Sequence, residues 1–392
     1  MAVIPSLNLF LQALLGLIFL VWVKRILWMR RFRKNHLPLP VFAESTFEEP
    51  KVSVIVPAKN EEKNIGNCLT HLLGQSYKNF EIIVVDDRST DRTSEIVSSF
   101  QKQNKVPIKL VRIEKLPPGW TGKNHAMQAG SKAASGDWLL FTDADTTHRP
   151  ESLRSSLACA LDKKIDFLTL APEVESKSFW EKTVQPLAVA SIALWFDPEK
   201  INDPKNPVAL ANGQYLLIKK EAYEKVGGSE SVKMDVVEDV ELAKKIRKAG
   251  YFVQFLNGTN IYSTRMYSNL SEIKTGWTRI LTHLFNRSIP AIVHKIFLFF
   301  IFSIFPFLLL AKEIGFYFLT PQFFSLPVLL LSGALCLFIV LVRFIGSLQV
   351  KSNPWYAFLH PLGSCIMVWI LSICVYRILF NRASPWRGDL YK

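Results

Sequence analysis

Cysteine is scarce in this chain. There are five, at Cys68, Cys159, Cys336, Cys365 and Cys374, an odd number whose spacing matches no paired metal motif. This argues against a disulfide framework and a zinc site and points to a reducing compartment. The sequence motifs of nucleic-acid-binding modules are also absent, although the formal net charge is +14. The densest basic cluster lies between Lys24 and Lys34, directly after an apolar run. Anionic lipid headgroups explain that placement better than a nucleic acid does, so no nucleic-acid partner is expected.

Charge itself is missing from residues 2–23, "AVIPSLNLFLQALLGLIFLVWV". At 1.5 Å per residue such a run is long enough to cross a hydrocarbon layer of about 30 Å. A secretory signal would carry its basic residues before the apolar stretch and a small-residue cleavage site after it. Here "KRILWMRRFRK" follows instead, which reads as a retained anchor with a cytoplasmic basic flank. Three further apolar blocks begin at Ile296, Phe323 and Trp355. The predicted organisation is an anchor (1–28), a basic linker (29–50), an α/β domain (51–265), an interfacial helical segment (266–295), a C-terminal membrane region (296–380) and a tail (381–392).

The middle of the chain alternates in character. "VSVIV", "EIIVV", "IKLVRI", "WLLFT" and "DFLTL" are nearly continuous apolar runs, the pattern of strands buried on both faces. Between them, "EEKNIGNCLTHLLGQ" places Ile65, Leu69, Leu72 and Leu73 at helical spacing, and "STDRTSEIVSSF" offers Ser89 or Thr90 as a helix cap. This β-α alternation predicts a doubly wound, mostly parallel sheet with helices on both faces. In such sheets ligands bind beyond the carboxyl ends of the strands. Three polar loops, "PAKNEE", "DDRSTD" and "DAD", fall there.

Clustered carboxylates call for a cation. Asp143 and Asp145, on alternate residues, can approach one Mg²⁺ or Mn²⁺ together, with substrate phosphates completing its shell. Lys123 follows the turn "LPPGWTG" at the start of an expected helix, where free amides and an ammonium suit a phosphate. Acidic caps and solvated lysines produce the same local patterns, so the triplet and the lysine carry weight only together.

In their order, "VSVIVPAKNEEKNI", "EIIVVDDRSTDRT", "PPGWTGKNHA", "LLFTDADTTH" and "VVEDVELAKKIRKAG" resemble family 2 glycosyltransferases, inverting enzymes with the nucleotide-sugar-binding GT-A fold. The "PPGWTGK" segment and the membrane tail are similar to the branch with hopanoid-associated and carotenoid glycosyltransferases. The resemblance implies that Pro57, Ala58, Asn60 and Glu61 border the nucleoside, with Asp86 and Asp87 on the uracil and ribose side of a UDP-sugar. It gives Lys123 a role in holding the nucleotide and Asp143 and Asp145 the metal and diphosphate. Asn212, Gly213, Gln214, Glu238 and Trp277 fall on the acceptor side, and Asp239 becomes the catalytic base. Two residue patterns keep a second reading open: Asp86 and Asp87 also suit turn capping, and the Glu238–Asp239 segment also suits an ordinary helix dipole.

The implied reaction is direct displacement of UDP by a hydroxyl or carboxyl of a membrane lipid, adding one sugar with inversion. A processive polysaccharide synthase and a noncatalytic membrane scaffold are the competing functions. Processive relatives carry a Gln/Arg-x-x-Arg-Trp motif, whereas Gly276 precedes Trp277 here. The protein is expected in the cell or inner membrane with its catalytic domain in the cytoplasm. The block from Ile296 to Ala311, short and interrupted by Pro306, is the one expected not to cross, which would return Arg382, Arg387 and Lys392 to the cytoplasm.

Overall fold

The computed structural model describes residues 3–42, 49–102, 106–206, 209–350, 352–386 and 389–391. Arg387 and Lys392 lie outside the described residues, as does part of the linker.

All five expected strands form. They are β1 (Val52–Ala58), β2 (Phe80–Asp87), β3 (Ile108–Ile113), β4 (Trp138–Phe141) and, after the short β5 (Thr146–His148), β6 (Phe167–Ala171). Next come β7 (Glu173–Val174), β8 (Leu216–Lys219), β9 (Val253–Asn257) and β10 (Tyr262–Thr264). Seven strands make the main sheet in the order β3-β2-β1-β4-β8-β6-β9. Every pairing in it is parallel except the two made by β8. Residues of β2 and β4 are buried throughout, as expected of strands covered on both faces. One apolar cluster packs β1, β2, β4 and β6 against the helix Ile65–Leu73, and a second packs the opposite face against Gly122–Ala133 and Glu238–Lys248. A smaller sheet, β5-β10-β7, stands beside the carboxyl end of β4.

Two local expectations need correction. The helix after β2 begins at Thr93 rather than at Ser89 or Thr90, and its N-cap is Arg92, whose side chain makes no capping bond. Ser89 and Thr90 are engaged across the loops instead: Ser89 Oγ accepts the Asn60 N–H at 2.9 Å, and Asn60 Oδ1 accepts the Thr90 N–H at 2.8 Å. The apolar block around Pro306 is also not short. It belongs to a continuous helical run, Ile289–Leu319, of 31 residues. A π-helical segment, Phe300–Ile304, sits directly before Pro306 and accommodates its missing N–H, so the helix continues.

Among the described residues four helices are long and apolar enough to cross a membrane: Ser6–Asn35, Ile289–Leu319, Leu326–Gln349 and Pro354–Leu379. The first three share one cluster through Leu15, Ile18, Leu309, Leu335 and Ile339. The fourth packs at its start on Leu326–Gln349 and further along against Phe179–Trp195, Leu270–Leu284 and Ile289–Phe299 through Met367, Ile370, Leu371 and Cys374.

Candidate active site

A cleft of about 1710 Å³ opens at the carboxyl ends of β1, β2 and β4 and runs to the membrane helices. Its floor is made by loops that hold each other in place. Asn60, at φ 56°, and Arg88, at φ 57°, both sit in the left-handed region that turns the chain back over the sheet. Glu61 N–H donates to Thr93 Oγ1 at 2.8 Å, and Glu62 N–H to Asp91 Oδ2 at 3.0 Å. Pro57, Ala58, Glu61 and Asp87 line the cleft. Asp86 does not: Oδ1 accepts the Ser89 N–H at 3.1 Å and Oδ2 the Ser94 hydroxyl, a turn-holding role. Asn60 is exposed and likewise binds the neighbouring loop.

The turn after β4 is stabilised from below. His148, fully buried and held neutral by burial at about 3, meets Thr142 Oγ1 at 3.0 Å and Thr146 Oγ1 at 3.1 Å through Nε2. Thr142 Oγ1 lies 2.9 Å from the Gln214 carbonyl, and Thr146 Oγ1 lies 2.7 Å from that of Asp143. Asp143 and Asp145 therefore project from a pinned turn into the cleft. The "TTH" that follows them is the sequence signal for this support, and sequence reasoning passed over it.

Opposite stands the start of the helix Glu238–Lys248. Lys123, in the first turn of Gly122–Ala133 after its Thr121 cap, reaches between the two elements. Its Nζ is 2.9 Å from Asp143 Oδ1 and 3.0 Å from Glu238 Oε1. Burial works against this ammonium, but the charges of Asp143, Glu238 and Asp239 outweigh it and raise its pKa. Asp239 accepts the Gly213 N–H at Oδ2 (2.6 Å) and the Val240 N–H at Oδ1 (2.8 Å). Desolvation and then the Glu238 charge push the Asp239 carboxyl up to about 7, against the pull of Lys123 and the two amides. Gly213 lets these groups approach: a Cβ there would stand 2.9 Å from Lys123 Nζ and 3.2 Å from Asp239 Oδ2 and would displace the ammonium.

Asn212 and Gln214 flank this contact. Asn212 Nδ2 donates to the Leu170 carbonyl and the Tyr262 hydroxyl, each at 3.1 Å, and Gln214 Nε2 to Thr264 Oγ1 at 3.0 Å. Trp277 lines the membrane-ward part, its indole N–H bonded to Gln185 Oε1 at 2.6 Å. The structure thus brings Asp143, Asp145, Lys123, Gly213, Glu238 and Asp239 to one cleft from segments far apart in sequence.

Asp143 and Asp145 suit a hard divalent cation by donor type, and the shared cluster of Asp143, Glu238 and Asp239 exceeds the single Lys123 charge. Among the described residues no group of three or more His, Cys, Asp or Glu forms a metal cage, so an ion would need oxygens from its substrate.

Residues 53–227 match the model for "Glycosyl transferase family 2". Those residues, less than half of the chain, are similar to that family's domain. Curated relatives of the domain include the probable glycosyltransferase YdaM of Bacillus subtilis, 29% identical over 60% of this chain and 57% of the relative. The 4,4'-diaponeurosporenoate glycosyltransferase of Staphylococcus aureus is 26% identical over 60% of this chain and 62% of its own length. The match therefore spans less than two thirds of either relative. Among solved structures, the mannosyltransferase PcManGT from Pyrobaculum calidifontis, in complex with GDP-Man and Mn²⁺, aligns with a TM-score of 0.53. That alignment is 17% identical and covers 95% of this chain and 99% of the other, a likeness of fold that extends beyond the family 2 domain. The fold is GT-A, with apolar helices at both ends of the chain.

Proposed function

We propose that this protein transfers one sugar from a nucleotide sugar, a UDP-sugar in the first instance, to a hydroxyl or carboxyl of a membrane lipid. The observation that carries the reading is the placement of Asp239. It lies across a cleft from Asp143 and Asp145, and that cleft continues between apolar helices long enough to span a bilayer. In the reaction the acceptor oxygen attacks the anomeric carbon as the bond from that carbon to the diphosphate oxygen breaks. The acceptor proton passes to a carboxylate oxygen of Asp239, and the Gly213 and Val240 amides hold that carboxylate in position. Lys123 bears positive charge toward the departing diphosphate, and Glu61 and Asp87 border the nucleoside. A divalent cation held by Asp143 and Asp145 would supply further charge for the leaving group. Displacement on one face inverts the anomeric configuration.

Two features support single addition to a lipid. A Cβ at Gly276 would overlap the Tyr267 hydroxyl, so the arginine of processive relatives has no room there. The Staphylococcus aureus relative is named for a carotenoid acid, an apolar acceptor.

The catalytic domain is assigned to the cytoplasm by the basic flank after Val23. The apolar helix that does not cross is then Pro354–Leu379. It packs on the catalytic-side helices Phe179–Trp195 and Leu270–Leu284, and beyond its end Asn381 Oδ1 accepts from Arg287 Nη2 at 3.4 Å. Arg287 immediately precedes the membrane run Ile289–Leu319, so the chain after the last helix sits at its catalytic-side end.

The test is a matrix of nucleotide sugars against lipid classes with the purified protein, products identified by mass spectrometry. A lipid carrying one added hexose is the expected product. Sugar chains, or no product with any lipid, would overturn the proposal.

A further inference from the structure

The cleft changes sign along its length. Its acidic lining residues, among them Asp143 and Asp239, all belong to the catalytic domain. The part lined by the membrane helices contains arginines and histidines and, among the described residues, no carboxylate. Three of these basic groups meet at one place. The Arg25 guanidinium lies 5.2 Å from the Trp22 ring centroid and 4.8 Å from that of Phe302. The Trp22 and His360 rings are 6.1 Å apart, and Arg343 Nη1 lies 3.5 Å from where a Cβ would stand on Gly363, one turn after His360 on the same helix. Arg343 Nη2 donates to the Thr183 carbonyl at 2.6 Å, which fixes the guanidinium.

What remains is unsatisfied. Arg343 Nε and Nη1 and both ring nitrogens of His360 are buried without a hydrogen-bond partner among the described residues, and His360 is 1% exposed. Buried donors normally find partners, because leaving one unmade forfeits the hydrogen bonds it had to water. Two guanidinium groups with no carboxylate beside them among the described residues compound that cost. Their depth is also informative: Trp22 and Arg25 sit where the first apolar helix passes into its basic flank, the level of phospholipid phosphates.

We propose that Arg25, Arg343 and His360 form a site for the phosphate of a lipid with a net negative headgroup at the membrane end of the cleft. Guanidinium groups bind phosphate oxygens through paired, charge-assisted hydrogen bonds, and the imidazole adds a further donor. The aromatic rings of Trp22, Phe302 and Phe307 border the site on the apolar side. This deepens the proposed function by naming the lipid chemistry that the cleft's membrane end takes, and it rests on binding rather than on turnover.

The experiment uses the full chain in nanodiscs of phosphatidylcholine into which phosphatidylglycerol is titrated, with bound lipid counted by native mass spectrometry after release. Wild-type protein should retain phosphatidylglycerol in preference to phosphatidylcholine. Arg25→Gln, which removes no hydrogen bond seen in the structure, should weaken that retention about tenfold, and Arg25→Gln/Arg343→Gln should abolish the preference. Arg343→Lys, which keeps the charge, should retain part of it and controls for loss of the Thr183 contact. Equal retention of both lipids by the wild type, or an unchanged preference in the double variant, would overturn the proposal. So would protection of the site by free glycerol 1-phosphate with no retention of phosphatidylglycerol, which would make it a soluble-phosphate site. UDP binding is measured alongside; its loss with lipid preference intact would count against the proposed transferase and leave this site standing.

Discussion

Replacing Asp239 by asparagine separates proton transfer from binding. Both carboxylate oxygens accept a backbone N–H, from Gly213 at 2.6 Å and from Val240 at 2.8 Å. An amide of the same shape can serve only one of them, and its NH₂ group must face the other donor. That mismatch costs about 1–3 kcal/mol. Against it, the substitution removes a carboxylate whose ionisation is already disfavoured by burial and by Glu238. We therefore expect the melting temperature to move by only a few degrees. Turnover should respond far more. A positioned general base contributes about 10²–10⁴-fold, or about 3–5 kcal/mol at 1.36 kcal/mol per tenfold change. With a donor and acceptor pair found by product analysis, kcat should fall by that factor while UDP affinity, read by calorimetry, stays within about threefold. Unchanged kcat with weakened UDP binding would make Asp239 a donor ligand rather than the base.

Further outcomes follow from the same cluster. Asp143→Asn and Asp145→Asn should each cripple turnover and weaken its Mn²⁺ dependence while circular dichroism stays native; full activity of the double variant in chelator would count against a metal-bound diphosphate. Because Asp239 must be ionised to act, activity should rise with pH through about 7, and Glu238→Gln should move that midpoint lower by removing a like charge. The raised pKa also has a stability sign: Asp239 favours the fold when protonated, and that contribution fades as pH climbs through about 7. Gly276→Ala should destabilise the protein by about 1–3 kcal/mol in denaturant unfolding, because its Cβ would overlap Tyr267. A single-cysteine label at position 381 should be protected from an external reagent in intact cells, and external labelling would place the last helix across the membrane.

Much of the sheet was legible because β1, β2 and β4 are buried on both faces, so their sequences are nearly continuous apolar runs. The acidic loops were legible for a related reason: a strand's carboxyl end is where a ligand can reach polar residues without breaking the core. Local chemistry misled where a side chain serves a distant partner. Ser89 and Thr90 look like helix caps, yet they answer to Asn60. The length of Ile289–Leu319 was hidden because proline signals an interruption, and only the preceding π-helical segment makes room for Pro306. The meeting of Arg25, Arg343 and His360 could not be read at all, since three helices from opposite ends of the chain assemble it.

Inverting transfer of one sugar to a lipid would show in the product of purified protein in nanodiscs, supplied with a UDP-sugar, Mn²⁺ and extracted lipid. Mass spectrometry should find a lipid carrying one added sugar, and proton NMR should find its anomeric configuration opposite to the donor's. Asp239→Asn protein should yield at most about a hundredth as much. A retained configuration, a polymer of sugars, or equal product from Asp239→Asn would contradict the account.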